Sequence, residues 1–441
     1  MMLILIGKAL YPLSLIIMVS FLSGCMQIGM RSEETEPTTA PSKVTLKVVQ
    51  SLATPLRTEQ LEKLIEHFEK EHPEINIMLV SPDYDSADET ILTMLKNKEI
   101  VDIVEARDIT VHEYVSQGLL ASLESYIAKW SNFTLLSENA RMMARDVANH
   151  VYYIPSSLYQ MQLYYRKDWF DAKALQTPET WEQLFFVGKQ LTRPEVEQYG
   201  FAFRGGLGAA NMLSSIIQDY NGNQVSSDDS MFNADGSTIF AGERSPEALE
   251  LYRKIYVETS HPSSIDWGFR EQVKAFVDGK AAMLIQDSDV IAMIQEKLKE
   301  SEWATAPLPT GPQGVSHYNV GAAGWGIAQH SRHKEEAWTF ISYLSSLENN
   351  RAFTDATGVV SIYSDAPGAE KYSVGPYAPY MLMANNPIRY RGVKRPSQYT
   401  KYSEYYKMST IAGRQFLQDT ISAETLLKQF DDFWLRQREH R

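Results

Sequence analysis

The alternation of strand-like and helix-like segments after residue 43 is the feature that most restricts the fold. Apolar and polar residues alternate from Val44 to Val49, as in a half-buried strand. Leucine, isoleucine and phenylalanine recur at helical spacing from Glu59 to Glu69, and Ile75 to Val80 has the strand pattern again. A second helix from Glu89 to Asn97 leads to a short apolar strand from Ile100 to Val104. This βαβαβ order predicts a mostly parallel sheet with helices on both faces.

The same alternation restarts after Pro155, which indicates a second lobe. With 441 residues, the chain exceeds the roughly 250–300 residues at which a single core stops growing. Met161 to Tyr165 is predicted to be a strand, and Pro178-Glu179-Thr180-Trp181 opens a helix that runs to Gln190. Further helices are predicted at 209–219, 245–257, 269–277, 334–347, 402–416 and 423–434, and further strands at 281–285, 303–306 and 320–328.

The composition excludes several classes of protein. Hydrophobic residues make up 44% of the chain and aromatic residues 11%, which supplies material for two cores and excludes a disordered chain. The net charge is −13, from 42 Lys and Arg against 55 Asp and Glu. No nucleic-acid partner is expected, because phosphate contacts need clustered basic side chains. The single cysteine excludes an intrachain disulfide framework and a Cys-rich zinc site.

That cysteine, Cys25, follows a segment with the properties of a secretory signal. The apolar run from Ala9 to Leu22 follows one basic residue, Lys8, and is shorter than the ~20 residues of a membrane span. Leu22-Ser23-Gly24-Cys25 resembles a bacterial lipobox, in which the cysteine is lipidated and becomes the mature N-terminus. The resemblance implies a signal peptide at 1–24 and a lipid anchor at Cys25, on the extracytoplasmic face of the cell membrane. The alternative is a signal anchor with an incidental cysteine.

Residues 26–42 are polar and contain proline, threonine and glutamate with little apolar periodicity. Such a segment is typical of a tether, so residues 25–42 are predicted to form a flexible linker.

Catalytic and metal-binding motifs are absent from the sequence. It has no G-x-x-x-x-G-K-[ST], no G-x-S-x-G and no H-E-x-x-H. His330 and His333 are three residues apart but have no further ligands close in sequence. Asp219 begins a segment like a calcium loop, yet Gln224 and Ser230 occupy the positions that require glycine and glutamate. No metal or cofactor is expected, although spacing alone does not show whether two carboxylates approach as in glycoside hydrolases.

A series of separated segments carries a resemblance to a known family. The strongest block joins Tyr153-Ile154-Pro155 to Leu163-Tyr164-Tyr165-Arg166-Lys167-Asp168-Trp169-Phe170 and to Pro178-Glu179-Thr180-Trp181-Glu182-Gln183-Leu184. The other segments are Phe68 to Ile77, Val101 to Val104, Gly118 to Leu123, Phe276 to Met283, Ala306 to Pro309, Gly324 to Ala328 and Ala337 to Ile341. In this order they resemble the family-1 extracellular solute-binding proteins of ATP-driven (ABC) importers, of the maltodextrin-binding type.

The resemblance implies a periplasmic-binding-protein type II-like α/β fold, with two α/β lobes, a hinge and a cleft between the lobes. Lobe 1 would comprise residues 43–154 and 310–350, and lobe 2 residues 155–309 and 351–441. Closure of the lobes would trap a ligand for delivery to the transmembrane permease subunits of the importer. The protein is expected to be a monomer with no catalytic activity of its own.

Candidate ligand contacts follow from the chemistry of sugars, which offer apolar C–H faces to aromatic rings and hydroxyls to polar side chains. Trp325, in a run of small residues, and Trp267, in a loop before a helix, are the candidate aromatic contacts. Burial in a core is the alternative for Trp325. The family often places cleft contacts after the Pro155 crossing, which implies Tyr159, Gln160 and Gln162 as contacts, with loop surface as the alternative.

Charged side chains complete the candidate site. Glu105, Arg107 and Asp108 follow the third predicted strand, and the carboxyl ends of strands line the crevice in open α/β sheets. At this point the family often has an aromatic residue instead.

Asp287 and Asp289 stand where the family often has Gly-x-Trp. These two acids either cap the helix that begins at Val290 or line the cleft. In the cleft they would favour a hydroxyl-rich or cationic ligand over a long stacked oligosaccharide.

Together these observations predict a lipid-anchored receptor that delivers a ligand, with a carbohydrate as the expected class, to an ABC importer. One alternative is a receptor of the same fold for a non-sugar, cationic solute or for a membrane sensor. The other is a surface-anchored hydrolase that acts on polysaccharide.

Overall fold

The computed structural model describes residues 43–364, 370–399 and 401–439. The predicted signal peptide, the lipidation site Cys25 and the linker 25–42 lie outside the described residues. The described strands are β1 (Val44–Val49), β2 (Ile75–Val80), β3 (Ile103–Arg107), β4 (Ile154–Gln160), β5 (Gln162–Tyr165), β6 (Tyr199–Phe201), β7 (Ala281–Gln286), β8 (Ala304–Ala306), β9 (Ser316–Ile327) and β10 (Tyr390–Lys394). The described α-helices are α1 (Pro55–Glu71), α2 (Ala87–Lys96), α3 (Val111–Ser116), α4 (Glu124–Ile127), α5 (Glu138–Ala144), α6 (Lys167–Ala172), α7 (Trp181–Leu191), α8 (Ala209–Asn221), α9 (Ser245–Thr259), α10 (Phe269–Val277), α11 (Val290–Lys297), α12 (Lys334–Leu344), α13 (Leu347–Thr357), α14 (Ala378–Ala384), α15 (Tyr402–Leu417) and α16 (Ala423–Glu439). None of these helices is long and apolar enough to cross a membrane.

The predicted βαβαβ unit forms the first part of a six-stranded sheet. β1 pairs in parallel with β2 on one side and with β3 on the other. Between β1 and β2, α1 is capped at Thr54, whose side chain accepts the N–H of Arg57, and Pro55 occupies the first turn of this helix. Its buried residues Leu61, Ile65 and Phe68 recur at helical spacing, which confirms the amphipathic pattern in the sequence.

The long strand β9 joins this sheet from the other side. It pairs antiparallel with β3 and β4 and in parallel with β10, so the sheet order is β10-β9-β3-β1-β2 with β4 also on β9. A Cβ atom at Gly324 would lie 2.0 Å from the carbonyl oxygen of Ile154. Glycine is therefore required at Gly324 for β4 to approach β9 this closely.

The second sheet has four strands in the order β6-β7-β5-β8. β5 is antiparallel to β7 and β8, and β6 is parallel to β7. The chain leaves the first sheet between β4 and β5 and returns to it between β8 and β9. β4 and β9 are therefore the strands that link the two sheets, and they are called the linking strands below.

The C-terminal segment contributes to both parts of the structure. β10 pairs with the start of β9 in the first sheet, whereas α15 packs on α8 and α16 packs on α9. The predicted lobe boundaries at 154/155, 309/310 and 350/351 stay a prediction.

A buried carboxylate ties β9 to two helices that pack around the second sheet. Asp219 in α8 is fully buried and accepts hydrogen bonds from Nε1 of Trp181 at 2.7 Å and from the backbone N–H of His317 at 2.6 Å. Nδ1 of His317 lies 3.0 Å from the same carboxylate. Trp181 begins α7 and His317 lies in β9, so one side chain joins three elements.

Candidate functional site

A cavity of about 560 Å³, part of which is open to solvent, lies between elements of the two sheets, against the linking strands. One wall comes from residues that follow β1, β2 and β3, among them Leu52, Tyr84 and Asp108. The carboxyl ends of parallel strands meet at one edge of a sheet, which explains why residues so far apart in sequence meet here. The opposite wall comes from the segment after β6, the start of α10 and the loop between β7 and α11.

Three arginines line this cavity among the described residues. Nη1 of Arg107 lies 2.8 Å from Oδ2 of Asp88, and Nε of Arg395 lies 3.4 Å from Oδ2 of Asp108. Nε of Arg204 donates to the carbonyl of Leu207, and this guanidinium forms no ion pair with a described carboxylate. Arg204 therefore has donors that a ligand could use.

Asp287 and Asp289 line the cavity from the loop between β7 and α11. Asp289 holds the N-cap position of α11, but its side chain makes no capping hydrogen bond. Its Oδ1 is buried and has no partner among the described residues.

Both carboxyl groups of this loop have a pKa above the ordinary value. Burial raises the pKa of Asp287. Burial, together with the nearby charge of Asp287, raises the pKa of Asp289 to about 7. Near neutral pH the Asp289 carboxyl can therefore donate a hydrogen bond as well as accept one.

Two aromatic rings meet across the cavity. Tyr84, between β2 and α2, stacks on Phe269 at the start of α10, with 5.8 Å between ring centroids and 21° between planes. Burial raises the pKa of Tyr84 to about 12, so its hydroxyl stays protonated at neutral pH. This pair gives an otherwise polar cavity an apolar surface.

Tyr159 of β4 is held in the cavity wall by a buried network. Its hydroxyl accepts a hydrogen bond from Nη1 of Arg57 at 3.0 Å, while Nη2 of Arg57 lies 2.7 Å from Oε1 of Glu105. Oε2 of Glu105 accepts the backbone N–H groups of Ser51 and Leu52, each at 2.9 Å. Glu105 is thus fully buried and occupied by the chain, and it positions Arg57 and the loop after β1 without lining the cavity.

Five of the predicted site residues are brought together in this cavity. They are Tyr159, Arg107, Asp108, Asp287 and Asp289. Their contact with a ligand remains a prediction.

The other predicted residues lie elsewhere. Trp325 is buried in β9 opposite Glu105, and Trp267 stacks on His261 with 5.5 Å between ring centroids. Gln162 donates to the carbonyl of Pro376. Gln160, on the other face of β4 from Tyr159, lines a different cavity.

Several lining residues were not anticipated from the sequence. Tyr84 follows β2 in the same way that Asp108 follows β3, so the end of a predicted strand could have indicated it. Arg204 follows β6 and Arg395 follows β10, two strands that the pattern did not predict. Phe269 begins a helix that was predicted, but nothing in the pattern separates it from a core residue.

Among the residues that the structure describes, no group of three or more His, Cys, Asp or Glu side chains is arranged to hold a metal ion.

Comparison with known sequences finds a match to the model of bacterial extracellular solute-binding proteins over residues 54–351. The chain is 24% identical to the putative ABC transporter periplasmic-binding protein YcjN of Escherichia coli, over 76% of this chain and 75% of that protein. It is 25% identical to the mannitol-binding protein of Pseudomonas aeruginosa, over 69% of this chain and 70% of that protein.

Comparison with solved structures gives the same result for the fold. An ABC transporter solute-binding protein from Agrobacterium radiobacter in complex with ribitol is 22% identical, with a TM-score of 0.74 over 89% of this chain and 98% of that one. Maltose-bound MalE3 of T. maritima is 18% identical, with a TM-score of 0.76 over 88% and 98%. The predicted two-lobed, type II periplasmic-binding-protein fold is confirmed.

Proposed function

Because the chain belongs to the family of bacterial extracellular solute-binding proteins, we propose that it captures a small polyol or monosaccharide and delivers it to an ABC importer. The family resemblance found in the sequence is thereby confirmed, and the protein acts on the extracytoplasmic side. In this proposal the protein is a monomer, tethered to the membrane by a lipid on Cys25, and it has no catalytic activity of its own.

The observation that carries the ligand class is the mixture of guanidinium and carboxyl groups in one cavity. Among the described residues, Arg204 has donors without a carboxylate partner, and Oδ1 of Asp289 is a buried acceptor without a donor. A hydroxyl donates one hydrogen bond and accepts others, so neighbouring hydroxyls of a polyol can bridge the two groups. Satisfying buried polar atoms in this way gives affinity for a hydroxyl-rich ligand over an apolar one.

The charges of the cavity support a neutral ligand. Three arginines face three aspartates among its described lining residues, and the pKa of Asp289, raised to about 7, keeps part of its carboxyl protonated near neutral pH. A cationic ligand such as a polyamine would bring its charge next to Arg107, Arg204 and Arg395.

The relatives support a small ligand. One relative is a mannitol-binding protein, and similar solved structures hold ribitol and D-mannitol.

Lobe closure completes the proposal. The cavity walls come from the predicted lobe 1 (43–154 and 310–350) and lobe 2 (155–309 and 351–441). Closure around the ligand would remove it from water and present one shape of the receptor to the permease.

A ligand screen tests the proposal on the chain without its signal peptide. Ribitol, mannitol, erythritol, glucose, maltose and spermidine are each added, and the melting temperature is measured, because a ligand that binds only the folded state raises it. At least one alditol or monosaccharide should stabilise the protein. Stabilisation by spermidine and by no hydroxylated compound would overturn the ligand class.

Arg204→Ala tests whether this cavity is the site. Loss of a charged hydrogen-bond donor should weaken the best ligand by about tenfold or more. Arg193→Ala, which removes an exposed arginine outside the cavity, is the matched control. Equal affinity in the two variants would remove Arg204 from the site.

The anchor has its own test, which does not depend on the ligand. Cys25→Ala should move the protein from the membrane fraction to the soluble extracytoplasmic fraction and abolish its labelling with a radioactive fatty acid. Retention of the label in this variant would refute lipidation at Cys25.

A further inference from the structure

The linking strands β4 and β9 carry a cavity on each face. In their antiparallel pairing Tyr159 lies opposite Gly321, and Gln160 lies opposite Val320. Successive residues of a strand point to opposite faces. Gly321 lines the cavity described above, whereas Gln160 and Val320 line a second cavity of about 1120 Å³, part of which is open to solvent; Tyr159 borders both.

The second cavity has a different chemistry from the first. Its described lining includes three tyrosines that do not reach the first cavity and three amides, which are Tyr318, Tyr372, Tyr380, Asn139, Gln160 and Asn385. Glu138 is the one acid among its described lining residues, and no lysine or arginine lines it within the described part of the chain. This lining suits a ligand without an anionic group.

Gln160 provides an independent indication of a ligand. The residue is 8% exposed, and Nε2 has no hydrogen-bond partner among the described residues. An unpaired buried amide donor destabilises the folded protein, so such groups are rare unless something completes them. A hydroxyl or carbonyl oxygen in the second cavity would accept this hydrogen bond.

The aromatic rings of the second cavity indicate that the ligand also has an apolar part. The three tyrosines are nearly buried and present only part of their apolar surface to the cavity, and amides beside them bind hydroxyls at the edge of a flat apolar ligand. The ammonium of Lys371 already lies 4.7 Å from the centroid of the Tyr372 ring, so a cationic ligand would meet a like charge there. We propose that the second cavity binds a neutral ligand with an apolar ring face and peripheral hydroxyls, of which a pyranose is the simplest example.

Blocking the second cavity tests this site on the chain without its signal peptide. Ala384 is an exposed lining residue at the end of α14, so Ala384→Trp should fill the cavity without disturbing a core. Ala172 is also an exposed alanine, at the end of α6 and outside both cavities. Ala172→Trp is therefore the matched control.

Calorimetric titrations with D-glucose, maltose and trehalose supply the measurement. At least one sugar should show a binding event that survives Arg204→Ala and Ala172→Trp and is weakened at least tenfold by Ala384→Trp. Gln160→Leu should weaken the same event severalfold.

The proposal is overturned if none of the three sugars binds. It is also overturned if binding persists in Ala384→Trp, or is lost in Arg204→Ala or in Ala172→Trp. Polyol binding in the first cavity is measured separately, so a failure of one proposal does not obscure the result for the other.

Discussion

Asp289 makes the stability of the empty receptor depend on pH in an unusual direction. Its pKa rises from 3.8 to about 7 on folding, so between these values the folded chain binds more protons than the unfolded chain. The contribution of Asp289 to stability must therefore fall as pH rises from about 4 to about 7 and stay low above that. Paired carboxylates, whose pKa is lowered on folding, have the opposite effect.

The size of this effect follows from the same shift. Three pH units at about 1.4 kcal/mol each give an upper limit of about 4 kcal/mol. Water screens the carboxyl because the Asp289 side chain is only half-buried beside the cavity, so we expect about 1–2 kcal/mol. Asp289→Asn should remove this dependence, because an amide does not titrate.

Urea denaturation of the ligand-free protein at steps from pH 4 to pH 8 measures this pH dependence of the free energy of unfolding. Relative to the unsubstituted protein, Asp289→Asn should gain about 1–2 kcal/mol in free energy of unfolding between the two ends of the range. Asp83→Asn is the matched control, since Asp83 is exposed and accepts one backbone hydrogen bond that an asparagine oxygen can also accept. Parallel curves for Asp289→Asn and the unsubstituted protein would refute the reasoning.

Two further substitutions test other parts of the structure. Asp219→Ala leaves the indole N–H of Trp181 and the backbone N–H of His317 buried without a partner. The free energy of unfolding should therefore fall by about 3–5 kcal/mol in urea titrations. A loss below about 1 kcal/mol would contradict this role of Asp219. Tyr84→Ala removes the ring that stacks on Phe269 across the first cavity, so ligand should dissociate about two- to tenfold faster in stopped-flow measurements, and an unchanged rate would show that the pair does not retain ligand.

The first three strands could be predicted from the sequence because they are regular. Alternation and helical spacing suffice for β1 and β2, whereas β3 runs from Ile103 to Arg107 and not from Ile100 to Val104 as predicted; β1 pairs with both β2 and β3. β4 was missed because Ile154-Pro155-Ser156-Ser157 resembles a loop. In the structure, however, Oγ of Ser156 donates to the carbonyl of Ala323, so this hydroxyl is hydrogen-bonded inside the sheet. β10 was missed because its charged residues, Arg391 and Lys394, are typical of an edge strand or a loop.

Which residues of the cavity could be predicted depended on which strands could be predicted. Arg107 and Asp108 follow a predicted strand, whereas Arg204 and Arg395 follow strands that the pattern did not indicate. Trp325 shows a second limit of prediction from the sequence, because the sequence does not tell how far along a strand a cavity extends. Trp325 shares a face of β9 with Gly321, but its position opposite Glu105 is already inside the core.

The lining of the first cavity has a consequence for folding. Leu52, in the loop after β1, and Tyr406, in α15, border the same space, so the elements that bring these two residues together must be in place before that space exists. Contacts between residues so distant in sequence form slowly, because the loop between them must first be closed. A ligand that recognises this cavity has nothing to bind in early intermediates, so it should slow unfolding and leave the refolding rate almost unchanged.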